Sequence, residues 1–121
     1  MLLSSDAANR PTPRHESRNP MTTRRTLTAR FTALPGREAE VRSLVEALER
    51  DVNNDAETLT FRVFQDANSR GFTVWEQYDS EAGFQTHVHA AHVVRFNELL
   101  TPLIEEDASI LTFMTPITTE N

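Results

Sequence analysis

The hydrophobic pattern of this chain switches between alternation and helical spacing, and the order of the switches limits the fold more than any other feature. In RRTLTARFTAL, residues 24–34, Leu27, Ala29, Phe31 and Ala33 alternate with Thr26, Thr28, Arg30 and Thr32. That is the pattern of a half-buried strand, and Pro35–Gly36 ends it as a turn. Residues 37–52 then place Val41, Leu44, Val45, Leu48 and Val52 at helical spacing, with Arg and Glu on the other side. NND at 53–55 closes that helix. ETLTFRVFQ sets Leu59, Phe61 and Val63 on one face of a second strand. DANSRG at 66–71 supplies turn chemistry, and FTVWEQY at 72–78 completes a hairpin.

Asp79 or Ser80 can cap the next helix, because each offers a side-chain acceptor to free amides. Its buried stripe reads Phe84, His87, Val88 and Ala91, followed by a segment with Val93, Phe96, Leu100 and Leu103. Pro102 should end or kink that segment. After EEDAS, ILTFMTPI at 110–117 is a last strand. The order is β-α-β-β-α-β with the second helix long or split. It predicts an α+β, ferredoxin-like fold: an antiparallel sheet with helices on one face. The other face should carry aromatics such as Phe64 or Phe113. Burial at ~25 cal/mol per Å² favours covering it with a second copy of the chain, so a homodimer is expected.

Composition removes several function classes. All twelve basic residues are Arg, which excludes Schiff-base chemistry on a lysine, and there is no Cys, which excludes disulfides and thiolate sites. Absence of cysteine fits a cytoplasmic protein. Residues 1–30 carry a balance of +4 and the remaining residues −10, so the body is too acidic for nucleic acid to be the expected partner. No run approaches the ~18 apolar residues of a membrane span. The proline-bearing, non-periodic residues 1–22 are expected to be a disordered tail, with the folded domain over 23–118. Only Gly36, Gly71 and Gly83 are present, so no glycine-rich phosphate loop can be built.

Three of the four histidines fall in HVHAAH, residues 87–92. On one continuous helix only His89 and His92 are spaced to share an ion, and no carboxylate joins them on that face, so no metal site is expected. His89 reads as solvent-facing. His87 lies with Phe84 and Ala91, and His92 with Phe96. A half-buried imidazole is either a core residue or an acid–base group, since it titrates near neutrality. Phe72, Val74, Glu76 and Tyr78 share one face of their strand. A carboxylate in that apolar line needs a partner, and His87, His92 or an arginine such as Arg62 could supply it. Trp75 points the other way.

At WEQYDSEAGFQTHVHAAHVVRF the chain resembles the antibiotic biosynthesis monooxygenase superfamily. That group includes small quinol monooxygenases, anthrone oxygenases, an autoinducer isomerase and heme-degrading enzymes. The resemblance rests on Glu76, Tyr78, Phe84, His87 and His92, and on LPGREAEVRSLVEAL as a first strand-to-helix turn. It extends over about residues 24–117 and implies a dimeric α/β barrel. DAETL replaces the family's common Pro-Gly-Cys. His87 and Asn97 stand where the heme-degrading branch has Trp and His, which argues against heme degradation. The resemblance implies cofactor-free oxidation of a small aromatic quinol or hydroxyarene by dioxygen. His87 or His92 would be the base, Glu76 its orienting partner and Tyr78 a substrate hydrogen-bond donor. Phe61, Phe72, Phe84, Phe96 and Asn97 would line the substrate. A proton-transfer isomerase on a small carbonyl metabolite would use the same pair, and a non-catalytic binding module would use neither.

Overall fold

A computed structural model describes residues 24–118 of the chain, and the tail expected over residues 1–22 lies outside them. The elements are β1 (Arg25–Thr32), α1 (Glu38–Asn53), β2 (Thr58–Gln65), β3 (Gly71–Tyr78), α2 (Glu81–His89), α3 (Ala91–Leu100), a 3-10 turn (Thr101–Leu103) and β4 (Ile110–Met114). All four strands are antiparallel in the order β2-β3-β1-β4. This is the α+β, ferredoxin-like arrangement that the order of periodicities predicts. Gly36 takes a positive φ of 83° in the turn after β1, a backbone state that disfavours any residue with a Cβ.

Alternation decides the two sheet faces. Leu27, Ala29 and Phe31 of β1, Phe61 of β2 and Phe72, Val74, Glu76 and Tyr78 of β3 are buried on the helix side. Val41, Val45, Leu48 and Val52 of α1, and Val93, Phe96 and Leu100 of α3, are buried with them. Each fully buried side chain of this size contributes roughly 1.5–3 kcal/mol. The opposite face carries Thr26, Thr28, Arg30 and Thr32 of β1 together with Phe64, Trp75 and Ile110, which are 49%, 37% and 54% exposed. Phe113 departs from expectation. It pairs with Leu27 and packs with Tyr78 and Phe84, so it faces the helices.

Leu59 also departs from expectation, being exposed rather than in line with Phe61. The β2–β3 pairing slips between Thr58 and Thr60, and a one-residue slip turns a side chain to the other face. The last strand stops at Met114, two residues before Pro116, which has no amide to continue a ladder.

The second helix is split. Ala90 is extended at φ −66° and ψ 140°, and separates α2 from α3. Helical periodicity supplies the reason. On a continuous helix His87 and Phe96, nine residues apart, would point about 180° from each other. Both are buried here, so the chain breaks between them. The break makes Ala91 the exposed first residue of α3 rather than part of the buried stripe. Ser80 caps α2, its Oγ accepting from the Gly83 amide at 3.0 Å.

Candidate active site

Two sheet residues and one helix residue meet beneath α2. Glu76 and Tyr78 sit two apart on β3 and therefore on the same face, and the Tyr78 hydroxyl donates to Glu76 Oε1 at 2.7 Å. His87 descends from α2, with Nε2 3.8 Å from the same Oε1. Glu76 and His87 are each only 5% exposed, the only buried acidic or basic residues among the described ones. The imidazole is held by rings: its centroid lies 4.7 Å from that of Tyr78 and 5.9 Å from that of Phe61. His87 Nδ1 is buried without a hydrogen-bond partner.

Burial sets the electrostatics of the pair. It pushes the Glu76 carboxyl up to about 7, against the Tyr78 hydrogen bond, which favours the carboxylate. It pushes the His87 imidazole down to about 4, with the Asp55 charge opposing and His92 assisting. Burial and the adjacent Glu76 charge also raise the Tyr78 phenol. The 3.8 Å contact is therefore not an ion pair at neutral pH. It joins a neutral imidazole to a carboxyl near its midpoint.

A cavity of about 40 Å³ opens beside this pair, lined by Glu76 and His87 and walled by Phe61, Phe84, Phe96 and Ala29. Asn97 and Ser109, both half-buried, complete its lining. Four of the expected lining residues, Phe61, Phe84, Phe96 and Asn97, thus meet around one space with His87 and its expected partner Glu76. Phe72 and Tyr78 do not line it. Phe72 stacks on Phe31 at 5.7 Å between centroids, and the Tyr78 hydroxyl is spent on Glu76, so Tyr78 acts on the carboxyl rather than in the cavity.

His92 is separate from this space. Its Nε2 lies 2.9 Å from Asp55 Oδ2, in the turn between α1 and β2, and a third of its side chain is exposed. The Ala90 break turns it away from Glu76. Arg62 is not the partner of Glu76 either: it lies opposite Trp75 on the other face and reaches Glu49 at 4.0 Å. His89 is exposed, with Nδ1 2.9 Å from the Gln85 carbonyl oxygen. Two residues escaped the sequence reading. Asp55 carried no signal beyond a polar turn, and Ser109 precedes a short strand whose extent alone places it.

The family model for antibiotic biosynthesis monooxygenases matches residues 25–99, which span the first five elements and most of α3. The chain belongs to the antibiotic biosynthesis monooxygenase family. Solved structures share its fold. One is Rv0793 from Mycobacterium tuberculosis, at TM-score 0.75 and 16% identity, over 82% of this chain and 100% of that one. Another is PA3566 from Pseudomonas aeruginosa, at TM-score 0.74 and 24% identity, over 81% and 98%. A third is described as an antibiotic biosynthesis monooxygenase, at TM-score 0.73 and 18% identity, over 78% and 99%. No curated protein matches the sequence.

Proposed function

We propose that this family member is a monooxygenase that oxidises a small quinol or other hydroxyarene with dioxygen, using no bound cofactor. The observation that carries this reading is the buried Glu76–His87 pair, which leaves His87 Nδ1 unpartnered beside an apolar cavity. A substrate hydroxyl is the group such a nitrogen lacks. Burial keeps the imidazole neutral, the form that can accept a proton, and Glu76 in its carboxylate form balances the charge of the imidazolium. The proton of the substrate hydroxyl thus passes to His87, with Glu76 as its counter-charge. The resulting phenolate is electron-rich enough to reduce dioxygen directly. One oxygen atom bonds to a ring carbon that loses its hydrogen, and the other leaves with both lost hydrogens as water. The ring gives up four electrons and dioxygen takes them. The aromatic walls keep the site dry while this proceeds.

The space of about 40 Å³ has room for a water or a dioxygen molecule, whereas a benzene ring needs roughly 150 Å³. Ring binding therefore requires the walls to part. The short α2, which carries Phe84 and His87 between extended residues Ser80 and Ala90, is the segment best built to move. The exposed Phe64, Trp75 and Ile110 support a homodimer in which two sheets meet face to face, and a mass of one chain at micromolar concentration would exclude it.

Oxygen uptake with a panel of quinols tests the activity. The expected result is uptake with at least one quinol. Turnover of a substrate under argon, with no uptake for any quinol, would replace this reading with the isomerase that shares the same pair.

A further inference from the structure

One arginine of the strands stands on the helix side of the sheet. Arg25 opens β1 in step with Leu27, Ala29 and Phe31, and it pairs across to Tyr78. Arg30 and Arg62, the other strand arginines, lie on the opposite face. A guanidinium over an apolar sheet face is costly unless its surroundings take up the charge.

Those surroundings come from α2 and β4. Arg25 Nε lies 2.8 Å from Oε1 of Glu81, in the first turn of α2. This buried Nε has no aligned hydrogen bond, so the contact is one of charge. The other oxygen of Glu81 accepts from Gln85 Nε2 at 2.8 Å, which leaves Oε1 for Arg25. The guanidinium carbon lies 4.2 Å from the ring centroid of Phe113 on β4 and 5.5 Å from that of Phe84 on α2. Those two rings meet edge to face, with centroids 5.6 Å apart, and they share the cation.

The helix held in this way is short. It has nine residues, its flanking residues Ser80 and Ala90 are extended, and its buried side chains are Phe84 and His87. Its first turn lies close against Asp79 and Glu57, with which any side chain at Gly83 would collide. Asp79, Glu57 and Glu81 thus gather acidic charge there, and Arg25 supplies cationic charge beside it. Phe84 and His87 are neighbours one turn apart, with ring centroids separated by 6.4 Å, so a displacement of Phe84 carries His87 with it.

We infer that Arg25 is a positioning residue: it clamps the first turn of α2 to β1 and β4 and, through Phe84, holds His87 against Glu76. This rests on the reading of His87 as the base and of α2 as the segment that parts to admit a ring. Arg25 touches no reacting group. It sets how α2 lies when closed and how readily it opens.

Hydrogen exchange at the amides of residues 84–90 reads the state of α2 without any turnover. Arg25→Gln removes the charge and the ring contacts together, and exchange there should quicken about 10-fold or more. Glu81→Gln removes only the ion pair, half-exposed on the Glu81 side, and should quicken exchange about 2- to 5-fold. Added salt should quicken α2 exchange in the unaltered protein and do so much less in Glu81→Gln. Arg25→Lys keeps a cation near Glu81 and the rings, and should return exchange to within about 3-fold of the unaltered protein. With a quinol that supports oxygen uptake, Arg25→Gln should lower kcat about 10-fold and change KM by less than about 2-fold, because His87 is displaced while β1, β2 and α3 stay in place.

Unchanged α2 exchange in Arg25→Gln overturns the inference. Quickening that spreads equally through α1 and β1 does the same, since the arginine would then serve the fold as a whole. A raised KM with kcat unchanged overturns it too, by placing Arg25 at the substrate. If Arg25→Gln fails to fold, Glu81→Gln decides: no quickening in that variant and no salt effect in the unaltered protein would end the inference. If no quinol is consumed, the oxidation reading falls, and exchange still decides whether Arg25 clamps α2.

Discussion

His87 and His92 are five residues apart in one histidine-rich segment, yet the fold gives them opposite surroundings. His87 is enclosed by Tyr78, Phe61 and Phe84, faces a buried carboxyl, and has a nitrogen with no partner. His92 lies at the rim, bonded to Asp55 at 2.9 Å and reached by solvent. The extended Ala90 between them is what separates their environments. The contrast teaches that proximity to apolar residues in sequence does not make an imidazole an acid–base group. Enclosure without a committed partner makes it a candidate for one, because desolvation and an open hydrogen-bond valence together leave the ring available to a substrate.

Substitution gives the sharpest way to break that contrast. With any quinol that supports oxygen uptake, His87→Ala should lower kcat/KM by about 100-fold or more, the usual contribution of a positioned acid–base group. His92→Ala should lower it by less than about 5-fold. Equal losses in steady-state assays of the two variants would mean that the rim histidine takes part in the chemistry.

The next effect is on stability as a function of pH. The folded Glu76 carboxyl titrates at about 7, above its ordinary 4.5, so its contribution is full below 4.5 and is lost as pH rises through 7. The folded His87 titrates at about 4, below its ordinary 6.5, so its contribution is present above 6.5 and is lost as pH falls through 4. Between about pH 4.5 and 6.5 the two slopes oppose each other and nearly cancel. Each removal should expose the other. Denaturant titrations of Glu76→Gln should show stability rising with pH across this window, relative to the unaltered protein. Those of His87→Gln should show it falling, each by up to about 1 kcal/mol per pH unit. Parallel curves for all three proteins would mean that the pair is solvated in solution.

Tyr78→Phe removes the one hydrogen bond that favours the Glu76 carboxylate. It should push the Glu76 titration, followed by infrared absorption of the carboxyl, further above 7, and cost about 1–2 kcal/mol of stability. A downward shift would contradict the role assigned to the phenol. The smallest effect belongs to the rim. Asp55→Asn should change stability by less than about 1 kcal/mol, as expected of a half-exposed pair, and the melting temperature should barely move. A larger loss would show that Asp55 and His92 hold α3 in place.

Much of the fold was legible in advance because secondary structure is written in local periods. Leu27, Ala29 and Phe31 mark a strand face whatever the rest of the chain does, and Val41, Val45, Leu48 and Val52 mark a helix face. The misread positions lie where one period gives way or where a register between strands has to be known. Leu59 sits at the β2 slip, Ala91 at the α2–α3 break, and Phe113 on a strand whose register to β1 had to be known first. Even the break had a trace in the sequence, since His87 and Phe96 cannot both be buried on one straight helix.

The sequence by itself determined the order of elements, the faces of β1 and β3, and the alignment of Glu76 with Tyr78, because a period of two is a property of neighbouring residues. Which histidine would meet that carboxyl was decided only in the tertiary structure. The Glu76–His87 contact depends on how α2 lies across β3. The Asp55–His92 bond joins positions 37 residues apart through a turn that no local pattern singles out. Desolvation, and with it the titration of each group, is set by side chains distant in sequence that enclose it, so the chemistry of the site appears only once the chain has packed.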